Sequence, residues 1–203
     1  MNNNTGYLEL FIGPMFAGKT SKLLELSSYF TKNNIPTIAL THSDDVRYSI
    51  DKLSSHNRDM IKCYKYKNIV NLIYNKDIGL ENIQNILIDE GQFFEDLNLV
   101  IDLVDVHKKH VYVFGLDGDF NRKKFGKILD LIPNCDEVVK LKALCRNCCQ
   151  NDALFTYRLS EEKEQTVVGV DNYVSLCRMC YNKGLNCKIK PFTNNLKELE
   201  RPK

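Results

Sequence analysis

Apolar positions in the first half of the chain switch repeatedly between a period of two and one of three to four, and the switches mark the elements. Tyr7-Leu-Glu-Leu-Phe-Ile12 alternates in part, is rich in β-formers and runs into Gly13, which predicts a strand. From Lys19 onward Leu23, Leu26 and Phe30 recur at spacings of three and four, Leu24 widens the stripe, and Asn33-Asn34 stops it, as expected of a helix. Ile35-Pro-Thr-Ile-Ala-Leu40 predicts a second short strand. Residues 41–58 are polar, with Asp44, Asp45, Arg47, Ser54, Ser55, His56 and Arg58, and read as a long surface loop of the kind that serves as a lid or binding segment. Asn68 to Lys76 predicts a short helix. Asn85-Ile-Leu-Ile-Asp89-Glu90, an apolar run ending in two acids, predicts a buried parallel strand. Leu97, Ile101 and Val104 predict a helix over Phe93 to Lys109, and Val111-Tyr-Val-Phe-Gly115 predicts another buried strand. Strands alternating with helices over residues 7–116 point to an α/β class, a three-layer core with a mostly parallel sheet.

Beyond Cys135 the texture changes. Residues 143–190 hold six of the eight cysteines and lack helical periodicity, so a small metal-stapled module is expected there. With 203 residues the chain has room for one full-sized core and a small appendage. The layout expected is a core domain over 1–142, a cysteine-rich domain over 143–191 and a polar tail over 192–203, the tail and Met1–Thr5 being read as mobile. The balance of 28 Lys+Arg against 26 Asp+Glu leaves little electrostatic footprint for nucleic acid or membrane, so neither is expected as a partner. No stretch approaches the ~18 apolar residues of a membrane span and the N-terminus lacks a basic, then apolar, leader. A cytoplasmic location is the expectation, and in a reducing compartment paired cysteines are better read as metal ligands than as disulfides.

Gly13-Pro14-Met15-Phe16-Ala17-Gly18-Lys19-Thr20 fits G-x-x-x-x-G-K-[ST] and lies between a strand and a helix, where a phosphate-binding P-loop must lie. Glycines let the backbone curl its N–H groups toward phosphate oxygens, and the helix N-terminus adds partial positive charge. Lys19 would reach the β- and γ-phosphates and the Thr20 hydroxyl would bind Mg²⁺. Such a site needs a carboxylate near the metal at the end of a neighbouring buried strand. Asp89 is the candidate for the metal's outer shell, and Glu90, facing outward, is placed to accept a proton from an attacking hydroxyl.

Cys145-Arg-Asn-Cys148 and Cys177-Arg-Met-Cys180 form two CxxC knuckles separated by the 28 residues 149–176. Four thiolates close a tetrahedral shell around Zn²⁺ and leave no open position, which makes the site structural. The connection is longer than common, so it is expected to do more than join two knuckles. Cys63, Cys135, Cys149 and Cys187 read as small half-buried thiols, and His42, His56, His107 and His110 as surface or loop residues.

The combination of Gly13–Thr20, Asp45-Val-Arg-Tyr48, Asp89-Glu-Gly-Gln-Phe-Phe94, Leu116-Asp-Gly-Asp-Phe120 with Phe125-Gly126, and the paired CxxC knuckles resembles the type II thymidine kinases, from about Leu8 to Tyr181 and in the family's order. The resemblance implies transfer of the ATP γ-phosphate to the 5′-hydroxyl of thymidine with Mg²⁺, a step of DNA-precursor salvage. It also implies a homotetramer whose protomers carry a P-loop α/β domain and a zinc-stapled lasso domain. By the resemblance Gly13–Thr20 would hold the triphosphate, Asp45, Val46 and Arg47 would lie beside the nucleotide, Glu90 would be the base, and Asp89, Gly91 and Gln92 would belong to the same binding segment. Phe120 matches an aromatic that stacks on the base, Phe125 and Met15 match apolar residues near it, and Thr156 matches a small residue near the base methyl. Gln165-Thr166-Val167-Val168-Gly169 and Tyr173 match the lasso segment over thymidine. Taken singly, Phe120 and Tyr173 would read as ordinary aromatics. Asp119, Asn121 and Lys124 stand where the family commonly has Thr, Gln and Pro, Val46 where it has Thr, and Gln165 where it has an apolar residue; these departures bear on pocket shape more than chemistry. Two rival readings are a P-loop ATPase whose zinc ribbon engages nucleic acid and a kinase of another deoxynucleoside.

Overall fold

The computed structural model describes residues 5–43, 62–162, 164–165 and 172–184. In chain order the elements are β1 (Tyr7–Ile12), α1 (Lys19–Lys32), β2 (Thr37–His42), β3 (Lys62–Tyr66), α2 (Val70–Ile73), β4 (Asn85–Ile88), α3 (Val100–Asp105), β5 (His110–Gly115), β6 (Glu137–Lys140), β7 (Ala143–Leu144), β8 (Asp152–Ala153), β9 (Phe155–Arg158), β10 (Tyr173–Leu176) and α4 (Arg178–Lys183). Among the described residues, strands β1 to β6 form one sheet in the order β3-β2-β4-β5-β1-β6. Every neighbouring pair in it is parallel.

The strand sequences explain the layers. Leu8, Leu10 and Ile12 of β1, with Ile86 and Ile88 of β4 and Val111 and Val113 of β5, pack one face of the sheet against Phe94, Leu97, Val100 and Leu103. The intervening Phe11, Leu87, Tyr112 and Phe114 pack the other face against Leu23 and Phe30 of α1. A strand covered on both faces has no polar side, which is why β4 and β5 read as continuous apolar runs. Phe11 and Phe114 stack at 4.7 Å and 7° across the pair β1/β5, a geometry worth about 0.5–1.5 kcal/mol beyond burial. The α/β class and the mostly parallel sheet expected from the sequence are therefore present.

Several local expectations are corrected. Strand β2 begins at Thr37, not Ile35, because Pro36 has no N–H to give to a ladder and instead offers its carbonyl to Gln84 and Asn85. The single helix expected over 93–109 is broken into 3₁₀ turns at Gly91–Phe93 and Leu97–Leu99 followed by the six-residue α3. Phe94 adopts an extended backbone to bury its ring in the core, and Asp96 turns its carboxylate to cap the N–H groups of Ile69 and Val70 at 2.8 and 2.9 Å. Strands β3 and β6 went unforeseen. Both are sheet edges, and β6 is mostly exposed, so no apolar run announces it. The cysteine-rich part is not free of helix: α4 starts directly after Cys177, whose sulfur accepts the Cys180 N–H at 3.5 Å. His42 is not a surface residue; at the end of β2 it is buried, edge-on to Phe94 with ring centroids 5.0 Å apart. His56, Cys187 and the tail 192–203 lie outside the described residues.

The appendage is built on two small antiparallel ladders, β7/β8 and β9/β10. One side of β9/β10 is apolar: Tyr157, Val174 and Leu176 close over Cys145, Cys177 and Cys180. Its other side carries Thr156 and Arg158, paired across the ladder with Ser175 and Tyr173. That polar side faces the C-terminal ends of the main sheet, which is where open parallel sheets bind ligands.

Candidate active site and metal centre

Three strand ends converge. After β1 the loop 13–18 leads into α1 through two left-handed residues, Phe16 at φ +62° and Gly18 at φ +80°. Gly13 is also required: a Cβ there would lie 2.4 Å from the Leu141 carbonyl oxygen. Helix α1 has no side-chain cap and no acid in its first turn, so its N-terminal N–H groups and partial positive charge are presented to the loop. Lys19, buried in that turn, donates from Nζ to the carbonyls of Gly13 at 3.2 Å and Pro14 at 2.8 Å, lying across the loop it must serve. Thr20 comes next in the same turn.

After β4 the chain turns sharply at Glu90, a non-glycine residue at φ +54°. Asp89 accepts the Glu90 N–H at 3.0 Å, and both acids are buried. Gln92 ties this turn to β5: its Nε2 donates to Glu90 Oε2 at 2.5 Å while its Oε1 accepts the Leu116 N–H at 2.9 Å. Three glycines make room for Gln92 and the turn. A Cβ on Gly115 would sit 2.6 Å from Gln92 Oε1, one on Gly126 2.0 Å from the Gln92 carbonyl, and one on Gly91 2.7 Å from Val113. Left-handed backbone at a non-glycine residue, as at Glu90, is strain of the kind that concentrates at functional sites.

The loop after β5 carries Phe120 and Phe125. Phe125 is buried edge-on to Phe93. Phe120 is half-buried beneath Arg158, whose guanidinium stacks 3.7 Å from its ring centre. Arg158 also donates to the carbonyls of Glu162 at 2.9 Å and Gln165 at 3.0 Å and to the Tyr173 hydroxyl at 2.6 Å. An open cleft of about 480 Å³ lies there, lined by Phe120, Asn121, Tyr157, Arg158 and Tyr181. Two of the departures noted in the sequence meet: Gln165 Nε2 donates to Asp119 Oδ2 at 3.0 Å, while Asp119 Oδ1 accepts the N–H groups of Asn121 and Lys123. Tyr181 donates to the Phe120 carbonyl at 2.5 Å, tying α4 to the same loop. Thr156 is buried against Met15. Asp45, Val46, Arg47, Thr166, Val167, Val168 and Gly169 lie outside the described residues.

Arg158, Ser175 and Tyr181 were not foreseen as site residues. A signal existed for two of them: polar residues at every second position of Phe155-Thr-Tyr-Arg158 and Tyr173-Val-Ser-Leu176 share one face of a ladder. Read without the partner strand, that alternation looks like a solvated face.

The four cysteines Cys145, Cys148, Cys177 and Cys180 bring their sulfurs within 4.8 Å of one another. Around Zn²⁺, Zn–S bonds of about 2.3 Å place sulfurs about 3.8 Å apart at tetrahedral corners, and Cys148 and Cys177 already stand at 4.0 Å. Backbone N–H groups of Gln150 and Asn151 hold the Cys148 thiol down to about 6. At Cys180 a hydrogen bond from Asn147 favours the thiolate, but burial and the three neighbouring sulfurs push the thiol up to about 11. Four crowded sulfurs that cannot all carry charge without a counter-ion fit a divalent soft cation. The Thr20 hydroxyl and Asp89 carboxylate are oxygen donors of the kind a hard cation takes. Of the remaining thiols, Cys63 and Cys135 are half-buried as expected, but Cys149 is exposed.

Sheet order, phosphate-loop motif, strand-end acids and a four-cysteine cluster define a P-loop α/β protein with a small appendage able to hold a metal. A thymidine kinase family model matches residues 6–181, and the chain belongs to that family. It is 38% identical over 184 residues to a thymidine kinase of Yaba monkey tumor virus (strain VR587), covering 90% of this chain and 98% of the relative. It is likewise 38% identical over 179 residues to a thymidine kinase of Amsacta moorei entomopoxvirus, covering 86% of this chain and 97% of that one. With the cytosolic thymidine kinase of Homo sapiens it shares 36% identity over 181 residues, 88% of this chain and 74% of the human one. Among the described residues no helix is long and apolar enough to cross a membrane.

Proposed function

We propose that the chain is an ATP:thymidine 5′-phosphotransferase in which Glu90 is the general base. The observation that carries this reading is the convergence, at the C-terminal ends of β1, β4 and β5, of a P-loop, a strained buried glutamate and the loop bearing Phe120, in a chain of the thymidine kinase family. Gly13–Thr20 grip the triphosphate through backbone N–H groups, and Lys19 leaves the carbonyls it now holds to meet the phosphate oxygens. Thr20, and Asp89 through the outer shell, would hold Mg²⁺, which would supply charge neutralisation on the transferring phosphoryl group. Glu90 takes the proton of the thymidine 5′-hydroxyl as that oxygen bonds to the γ-phosphorus and the bond to the β-phosphate oxygen breaks, releasing ADP and thymidine monophosphate. Gln92 holds the Glu90 carboxylate in place throughout.

Phe120 supplies a stacking surface for the pyrimidine worth roughly 1–3 kcal/mol, with Phe125, Met15, Thr156, Gln165 and Tyr173 as its neighbours, and the motif resemblance assigns Thr166–Gly169 to the base edge. The same resemblance assigns Asp45 to Arg47 to nucleotide binding. Cys145, Cys148, Cys177 and Cys180 would hold Zn²⁺, which would tie the two ends of the lasso domain, 143–191, together beside the nucleotide-binding domain, 1–142. The motif resemblance supports a homotetramer, and relatives named cytosolic support a cytoplasmic location.

Screening ATP consumption against the four deoxynucleosides tests the reading. Thymidine-dependent turnover is expected. Consumption that ignores nucleosides points instead to a nucleic-acid-associated ATPase, and preference for another base overturns the acceptor.

A further inference from the structure

The phosphate loop is held from outside its own domain. Met15, at its apex, has both backbone polar groups committed to the small ladder: its N–H donates to Thr156 Oγ1 at 3.0 Å, and its carbonyl accepts from Ser175 Oγ. Thr156 and Ser175 are direct partners across β9/β10, and they are 4% and 3% exposed. The two hydroxyls are complementary, one accepting and one donating, so together they fix which way the two peptides flanking Met15 face, Pro14–Met15 through its N–H and Met15–Phe16 through its carbonyl.

That orientation matters because the neighbouring residues do not enforce it. Pro14 has no N–H, Phe16 is held at positive φ with its side chain half in solvent, and Gly18 has open space where a Cβ would stand. A phosphate cradle works by pointing successive N–H groups at oxygens, so an apex peptide free to flip would scatter the cradle before the donor arrived. The support behind the clamp is stiff. Ser175 lies between Val174 and Leu176, both packed into the cysteine core, and directly precedes the Leu176-Cys177 step into α4.

We propose that Thr156 and Ser175 are positioning residues for the phosphate donor: their paired hydroxyls lock the two peptides flanking Met15, so the metal-stapled ladder sets how well the phosphate loop is preorganised. The proposal rests on the reading that residues 13–20 bind the triphosphate. It gives Thr156 a task on the donor side, separate from any contact with the base, and it gives Ser175 a functional role between Val174 and Leu176, which are buried in the cysteine core.

The test is calorimetric titration of a nonhydrolysable Mg·ATP analogue into the zinc-loaded protein without thymidine, so that the base pocket contributes nothing. Ser175→Ala and Thr156→Val should each raise the dissociation constant about 3- to 10-fold, the effect of losing one hydrogen bond. Zinc content should stay unchanged, the melting temperature should fall only a few degrees, and Ser175→Thr should return affinity to within about twofold of the original. In turnover assays Ser175→Ala should raise KM for ATP with kcat nearly held, a split that general destabilisation does not produce. Ser175→Ala binding the donor as tightly as the unaltered chain, with zinc in place, overturns the proposal. If Ser175→Ala loses zinc, Thr156→Val carries the same test from the opposite strand, and unchanged donor affinity there overturns it equally. Absence of donor binding by the unaltered chain refutes the phosphate-loop reading itself and the clamp with it.

Discussion

Replacing Gln92 by Leu probes how the general base is held. The side chain is 4% exposed and engaged at both ends, donating to Glu90 Oε2 at 2.5 Å and accepting the Leu116 N–H at 2.9 Å. Leucine is close in volume, so the cradle formed by Gly91, Gly115 and Gly126 is not emptied, but both hydrogen bonds vanish. A hydrogen bond to a charged group is worth about 1.5–3 kcal/mol. If that energy serves to keep the carboxylate in reach of the 5′-hydroxyl, its loss appears in the transition state and lowers kcat about 10- to 150-fold, at 1.36 kcal/mol per tenfold. Steady-state assays varying thymidine and ATP separately read the outcome, with KM for ATP expected to move less than about twofold because the phosphate loop is untouched. A cycle sharpens it: Glu90→Gln with Gln92→Leu should be no slower than Glu90→Gln alone, since the second change acts only through the first. A kcat for Gln92→Leu within about twofold of the original, or fully additive losses in the cycle, would refute the positioning role.

Glu90→Gln itself should lower kcat by about 10²-fold or more while leaving donor affinity little changed, and near-normal turnover would remove Glu90 from the base role. Cys177→Ser should release zinc, measured by metal analysis, and weaken thymidine binding more than donor binding, the smaller donor loss passing through Ser175; unchanged metal content would refute the tetrathiolate site. Burial and the nearby Asp89 carboxylate push the Cys63 thiol up to about 11, so its reactive thiolate appears only as pH rises toward that value. Iodoacetamide at pH 8 should therefore modify exposed Cys149 well before Cys63, as read by peptide mass spectrometry, with equal rates contradicting the burial of β3.

What the sequence made legible was whatever local pattern alone determines. The P-loop announces itself because one continuous octapeptide holds both glycines and the lysine, and β4 and β5 do so because burial on both faces leaves no polar position. The two CxxC pairs were legible as a tetrahedral set for the same reason, their spacing being local. Long-range partnerships were not. Phe94 and Asp96 interrupt an apparently helical stretch because one belongs in the sheet core and the other caps α2, and neither duty shows in the residues around them. The edge strand β6 lacks the burial that would mark it. Ser175 and Arg158 look like residues of a solvated face until the ladder is laid against Met15 and Phe120. The pairing of Asp119 with Gln165 is the same lesson in another form, two separate departures from the family pattern that make sense only together.

The account stands on one site per chain in which a pyrimidine deoxynucleoside lies beside a bound polyphosphate with Glu90 between them. The most direct measurement is calorimetric titration of thymidine into the protein saturated with Mg²⁺ and a nonhydrolysable ATP analogue. Saturable heat with equimolar stoichiometry, lost when thymidine is replaced by a purine deoxynucleoside, is the result predicted. No heat from thymidine, or equal heat from every deoxynucleoside, would contradict it.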